Sequence, residues 1–250
     1  MWSVVRGIIP CDGPSERRSV GILKSEMNRV PPPFRIVFFD NDGTLTANRS
    51  TWEYTHKFLG TWDRGKPLLD EHLANRTPYD EFARASTKLW KGFHREKFIE
   101  RIRTIEIRPG VGDVVAYLKE RKILVAVVSS GFSLWREVWK ERTDIDWDYY
   151  YANDLIFDEN DLCTGEIDMQ VTDNVPGLNK ANWVERICAE PLNIPHEERI
   201  FVGDGYGDIP GFEACAFGVA IDPSTEDVRN RADLVLRGEE FPKLLEIFSV

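Results

Sequence analysis

Residues 34–46 read FRIVFFDNDGTLT, and this stretch decides the fold. Residues 34–39 are a short apolar run of strand formers with no polar alternation, the pattern of a strand buried on both faces. The run passes directly into Asp40-Asn41-Asp42-Gly43-Thr44. Two carboxylates two residues apart at a strand end sit where open α/β sheets bind their ligands. One can attack phosphorus; the other can give a proton to the leaving oxygen and later activate water. Gly43 lets the chain turn sharply. Alone, the motif also fits a polar turn or a fragment of a calcium loop. Ala47, Asn48 and Arg49 do not supply the further acids that an EF-hand needs.

Working outward, four more short apolar runs follow, at 123–128, 199–202, 217–221 and 232–236. Helical patterns at 111–122, 133–142, 180–190, 207–215 and 225–231 separate them. Strands alternating with helices predict an α/β fold, a Rossmann-like doubly wound parallel sheet. Two segments interrupt the alternation. Residues 47–108 are helical and aromatic, with breaks at Gly60, Gly65-Pro67, Pro78 and Gly92, and read as a helical cap inserted after the first strand. Residues 149–172 alternate around a turn near 158–161 and read as a β-hairpin. The expected organisation is an N-terminal extension at 1–33 ending in Pro31-Pro32-Pro33, a core of 34–46 and 109–250, and the cap. Met27 is an alternative start.

Three further clusters carry chemistry. Ser129-Ser130-Gly131 follows the second strand and precedes a helix, where a hydroxyl and backbone N–H groups suit a phosphate oxygen; a serine N-cap is the plainer alternative. Lys180 stands at a helix start, where it opposes the helix dipole, a hint of another use such as holding a phosphoryl oxygen. Gly203-Asp204-Gly205-Tyr206-Gly207-Asp208 follows the third strand and offers two acids at i and i+4. Carboxylate oxygens are what magnesium prefers. A capped turn is the structural alternative. Three of the four clusters follow strands of one sheet, so all can converge at its carboxyl edge.

Composition narrows the class. The net charge of −10, from 32 basic and 42 acidic side chains, argues against nucleic-acid or anionic-membrane binding as the main task. No apolar run approaches a membrane span, and no signal peptide is read at the N-terminus, so a cytoplasmic protein is expected. Cys11, Cys163, Cys188 and Cys215 form no CxxC pair and read as free thiols of a reducing compartment. Residues 47–108 carry 13 Lys/Arg and 9 Asp/Glu, a basic segment in an acidic chain that would attract an anionic substrate. Solvated helix faces explain the same charges. Trp52, Trp62 and Trp90 read either as pocket lining or as the cap's own small core.

FFDNDGTLT, VVSSGF, the hairpin ending in GEIDMQV, NKA and VGDGYGD stand in an order that resembles the haloacid dehalogenase superfamily of phosphohydrolases. The likeness covers roughly 34–245 and is nearest to the phosphoserine-phosphatase-like branch. It implies an enzyme, a Mg2+-dependent phosphatase acting on a small phosphorylated metabolite through an aspartyl-phosphate. Asp40 would be the nucleophile and Asp42 the general acid and base. Thr44, Ser129, Ser130, Gly131 and Lys180 would organise or bind the phosphoryl group. Asp40, Asp42 (through its carbonyl), Asp204 and Asp208 would hold or support the metal. Two positions depart from the branch. Its usual glutamate nine residues after the nucleophile is Arg49 here, and its cap arginine aligns with Ser86, with Arg84 half a helical turn away. Arg49 is therefore expected to face the leaving group, with Glu53, one turn on, as the competing reader. Phosphotransfer to an alcohol and a non-catalytic phosphate-ester-binding protein are the rival functions.

Overall fold

The computed structural model of the chain describes residues 31–173 and 175–249. The 1–33 extension and the Met27 start therefore lie outside the described residues, apart from Pro31–Pro33, which form neither helix nor strand. The first strand, β1 (Ile36–Phe39), is buried throughout. It sits at the centre of a seven-stranded sheet with β2 (Leu124–Phe132), β3 (Tyr149–Phe157), β4 (Cys163–Asp168), β5 (Arg199–Gly203), β6 (Phe217–Ile221) and β7 (Leu234–Leu236). The order is β4-β3-β2-β1-β5-β6-β7. All neighbours are parallel except β3 and β4. The hairpin read at 149–172 thus extends the main sheet through β3.

Because the pairing is in register, Phe39 faces Val127 on one side and Val202 on the other. The residues that follow these three strands therefore emerge at one level. Strand order also reverses at β1, the place where open α/β sheets form their crevice. β1 supplies both faces of the core by simple alternation. Val37 and Phe39 enter one apolar cluster with Val114, Leu118 and Leu244. Ile36 and Phe38 enter the other, with Trp183, Val184 and Phe212. Packed on the sheet are α5 (Val111–Glu120), α6 (Trp135–Thr143), α7 (Lys180–Cys188), α8 (Ile209–Glu213), α9 (Glu226–Arg231) and α10 (Leu244–Ile247).

Residues 47–108 hold four helices: α1 (Thr51–Phe58), α2 (Trp62–Leu73), α3 (Tyr79–Lys88) and α4 (Arg95–Arg103). The chain enters and leaves this segment side by side, through an antiparallel bridge of Thr46 with Ile107. Trp52 and Trp90 are buried and stacked at 5.3 Å, so they form the segment's interior. Trp62 is partly buried and lies under Lys57. That interior is continuous with Phe132 and Trp135 of the α/β layers. No helix among the described residues is long and apolar enough to cross a membrane. Cys163, Cys188 and Cys215 are free and buried.

Candidate active site

Asp40 leaves β1 in extended backbone, its N–H still held by the Val202 carbonyl at 2.9 Å. The next residues form a tight loop closed by Thr46 N–H to Asn41 O (3.1 Å) and Gly43 N–H to Asn48 O (2.7 Å). Gly43 has φ 79°, and a Cβ there would lie 2.3 Å from Asp204 Oδ2. Only glycine both accepts that conformation and admits the carboxylate. The Thr44 hydroxyl donates to Asp204 Oδ1 at 3.1 Å, so Thr44 holds a carboxylate.

Lys180, the first residue of α7, reaches back into the sheet edge and is 2% exposed. Its Nζ is 2.9 Å from Asp40 Oδ1 and 2.5 Å from Asp208 Oδ1. The helix start is satisfied without it, since the Asn179 side chain accepts the Asn182 N–H. The other oxygen of Asp208 accepts the N–H groups of Asp204 and Gly205, each at 2.8 Å. Asp208 thus shapes the loop after β5 and anchors the lysine.

One oxygen each of Asp40, Asp204 and Asp208 lie within 4.8 Å of one another, and all three residues are buried. Beyond its ion pair, Asp40 Oδ1 has no hydrogen-bond partner. Burial pushes Asp40 up to about 7, against the pull of Lys180, with Asp208 and Asp42 adding to the rise. Burial, then Asp208 and Asp40, raise Asp204 well above the usual carboxylate range. Burial works to lower Lys180, but Asp208 and Asp40 outweigh it and hold the ammonium above its ordinary value. More carboxylates than cations are buried here, with only oxygen donors. That set fits a hard divalent cation such as magnesium.

Asp42 is not part of this trio. Its carboxylate accepts from the Thr51 hydroxyl and N–H, each at 2.6 Å, and from Asn41 Nδ2 at 2.9 Å. Behind these donors stand two indoles of α6. Trp135 Nε1 donates to Thr51 Oγ1 (3.2 Å) and Trp139 Nε1 to Asn41 Oδ1 (2.9 Å). Burial raises the Asp42 pKa, and the bonds from Thr51 and Asn41 oppose it. Across the crevice, Gly131 N–H donates to Ser129 Oγ at 3.1 Å, and a Cβ on Gly131 would lie 3.4 Å from Asp42 Oδ2. Ser129–Gly131, expected to follow the second strand, are thus residues of β2 itself, where its pairing with β3 is interrupted, and they border Asp42.

The structure thus brings Asp40, Asp42, Thr44, Ser129, Ser130, Gly131, Lys180, Asp204 and Asp208 to one edge of the sheet. The three residues of 47–108 expected to read the substrate have other surroundings. Arg49, expected to face a leaving group, instead donates through Nη2 to the Asp222 carbonyl after β6 at 2.7 Å. Glu53 pairs with Lys57, one helical turn on, and Arg84 is exposed. Position 49 lies in the irregular segment before α1. Sequence reasoning missed Asn41, Thr51, Trp135 and Trp139. The 135/139 spacing marks one helix face, but nothing local shows what that face touches. A separate surface cleft of about 650 Å³, lined by Arg95, Arg136 and Trp147, contains none of these residues.

A family model of haloacid dehalogenase-like hydrolases matches residues 37–213. A phosphoserine phosphatase of Methanocaldococcus jannaschii is 27% identical over 85% of this chain and 96% of its own length. One of Archaeoglobus fulgidus is 29% identical over 94% of this chain, which spans 66% of that relative's length. Among solved structures, a substrate-bound phosphoserine phosphatase complex aligns with a TM-score of 0.71 at 27% identity, covering 86% of this chain and 97% of that one. A phospho-aspartyl intermediate analogue of phosphoserine phosphatase aligns with a TM-score of 0.69 at 27% identity, covering 82% and 93%.

Proposed function

Because the chain belongs to the haloacid dehalogenase-like hydrolase family, we propose that it is a magnesium-dependent phosphatase that hydrolyses a small phosphorylated metabolite through an aspartyl-phosphate on Asp40. One observation carries this reading: a buried Asp40–Lys180 ion pair, with a second carboxylate two residues on and two more beside it. The names of the relatives and the phospho-aspartyl neighbour support it. Residues 47–108 act as a cap that closes over the crevice and excludes water.

In the first step an Asp40 oxygen attacks phosphorus and the ester P–O bond breaks. Asp42 gives its proton to the departing alkoxide. In the second step water attacks the phosphoryl group, Asp42 takes the water's proton, and phosphate and free Asp40 are released. Asp42 must carry a proton for the first step, and burial raises its pKa against the pull of the Thr51 and Asn41 bonds. Lys180 pulls Asp40 towards its ionised form for attack and meets a phosphoryl oxygen, joined by Ser129 Oγ and the backbone N–H groups of Ser130 and Gly131. Magnesium held by Asp40, Asp204 and the Asp42 carbonyl, with Asp208 in support, supplies positive charge that lets two anions meet. The cytoplasm is the compartment this chemistry and the free thiols suit.

The test is a panel of phosphate esters with magnesium, with acid trapping of radiolabelled protein. Wild type should acquire label and Asp40→Asn should not. Label on a folded Asp40→Asn protein, or full turnover in a chelator, would sink the mechanism. Asp42→Ala should slow turnover by about 10²–10⁴-fold, least for good leaving groups such as nitrophenol. Added alcohols that intercept the phosphoryl group would show a transferase instead.

A further inference from the structure

Ser130 lies where β2 loses its register with β3, between Val128 and Phe132. Its carbonyl is held by two side chains. Asn153 Nδ2, from β3, donates to it at 2.9 Å, and the Tyr79 hydroxyl, from α3, donates to it as well. Asn153 is fully buried and committed elsewhere too, giving Nδ2 to the Val171 carbonyl (3.0 Å) and accepting the Gln170 and Val171 N–H groups, each at 2.8 Å. The direction of the tyrosine bond is settled by its neighbours. Trp52 Nε1 donates to Tyr79 Oη at 3.1 Å, and an indole N–H can only donate. The phenol hydrogen is thereby left for Ser130, whose carbonyl can only accept.

A peptide is planar and trans, so holding its carbonyl in one direction aims the following N–H in the other. Here that N–H belongs to Gly131 and points towards Ser129 Oγ, on the side where Asp42 lies. The pair of donors on Ser130 therefore prevents the peptide from turning over and keeps the Gly131 amide facing the phosphoryl position. Asn153 belongs to the sheet and is always present. Tyr79 belongs to residues 47–108 and is 8% exposed, buried where that segment packs on the α/β layers.

We propose that Tyr79 is a positioning residue that couples seating of the cap to readiness of the phosphoryl-binding loop, a proposal that rests on the phosphatase reading above. A phosphoryl group bound by the loop then stabilises the closed cap, and by linkage the closed cap tightens phosphate binding by the same factor.

The experiment uses the full chain with magnesium and inorganic phosphate as the probe, measured by calorimetry and by competitive inhibition. Tyr79→Phe removes one oxygen and leaves Asn153 on Ser130. It should weaken phosphate binding by about 2- to 10-fold, the worth of one hydrogen bond. Phosphate should slow amide exchange in α3 of the wild type and fail to do so in Tyr79→Phe. Trp52→Phe deletes the donor to Tyr79 but keeps the bond to Ser130, so its phosphate affinity should stay within about 2-fold. Equal affinity in wild type and Tyr79→Phe would overturn the proposal. An equal loss in Trp52→Phe and Tyr79→Phe would also overturn it, because general cap packing would then explain the effect. A wild type that binds no phosphate at all would overturn the phosphatase reading, and this one with it.

Discussion

Asp40 is buried among like charges, and folding must pay for its ionisation. Its pKa is about 7 when folded against an ordinary 3.8, with burial the largest cause. Between those values the unfolded chain has released a proton that the folded chain retains. Stability from this group is thus complete below about pH 4 and is lost as pH rises through 7. Metal-free wild type should therefore lose stability between pH 4 and 7 more steeply than Asp40→Asn, whose amide carries no charge. Magnesium at pH 7 should recover the difference in wild type only. Thermal unfolding of both proteins at several pH values checks this, and parallel curves would show that Asp40 does not carry the strain assigned to it.

At the scale of elements, α1 and α6 together hold Asp42, the proposed general acid. Trp135 and Trp139 lie one turn apart on α6 with ring centroids at 5.7 Å, and each indole N–H ends on a residue that donates to Asp42. Thr51 opens α1, whose N-cap is Ser50 accepting the Glu53 N–H at 3.2 Å. Its hydroxyl therefore joins the cap's first turn to the acid. Thr51→Val removes one donor from Asp42 and strands the Trp135 N–H. It should cost about 1–3 kcal/mol of stability by denaturant titration. With less support for its carboxylate, Asp42 should hold its proton to higher pH. The alkaline limb of the kcat/KM profile should then move upward; a limb that stays in place would detach Thr51 from the acid's titration.

For the whole molecule, the loop after β6 clasps the cap at its root. Arg49 binds the Asp222 carbonyl, and Arg108, nearly buried, pairs with Asp222 Oδ2 at 3.1 Å while donating to the Gly43 carbonyl at 2.7 Å. The segments entering and leaving residues 47–108 and the loop after β1 are thus tied to one point. Gly238 makes room for this arrangement: a Cβ there would lie 1.6 Å from Arg108 Nη1 and 2.5 Å from Asp222 Oδ2. Gly238→Ala should displace the guanidinium and lower stability by about 1–3 kcal/mol through the lost hydrogen bonds. A denaturation midpoint equal to wild type would show the clasp to be dispensable. The charge pattern acts at the same scale, with a basic cap of net +4 set against −14 for the rest of the chain. Many cap charges are already paired with neighbours on the helix faces, among them Lys57, Lys66 and Arg76.

The sheet was legible because its signal is local. Runs such as 34–39 and 217–221 are apolar throughout, and a strand buried on both faces leaves no other reading once helical segments separate it from the next. The placement of the polar groups at the sheet edge was legible for the same reason, since the parallel register carries Asp40, Ser129 and Asp204 to one edge without any long-range detail. Lys180 showed itself as a charge misplaced on a helix start. Arg49 was expected at a leaving group from its backbone position near Asp40, whereas its side chain bonds the Asp222 carbonyl, 173 residues away. Asn41, Thr51, Trp135, Trp139, Tyr79 and Asn153 left no mark in the sequence, because each acts through one partner brought close only by packing. The sequence alone thus determined the α/β order and the ionisable groups at the sheet edge. Tertiary structure alone decided which neutral donors aim those groups, because a hydrogen bond depends on distances that residue spacing does not set.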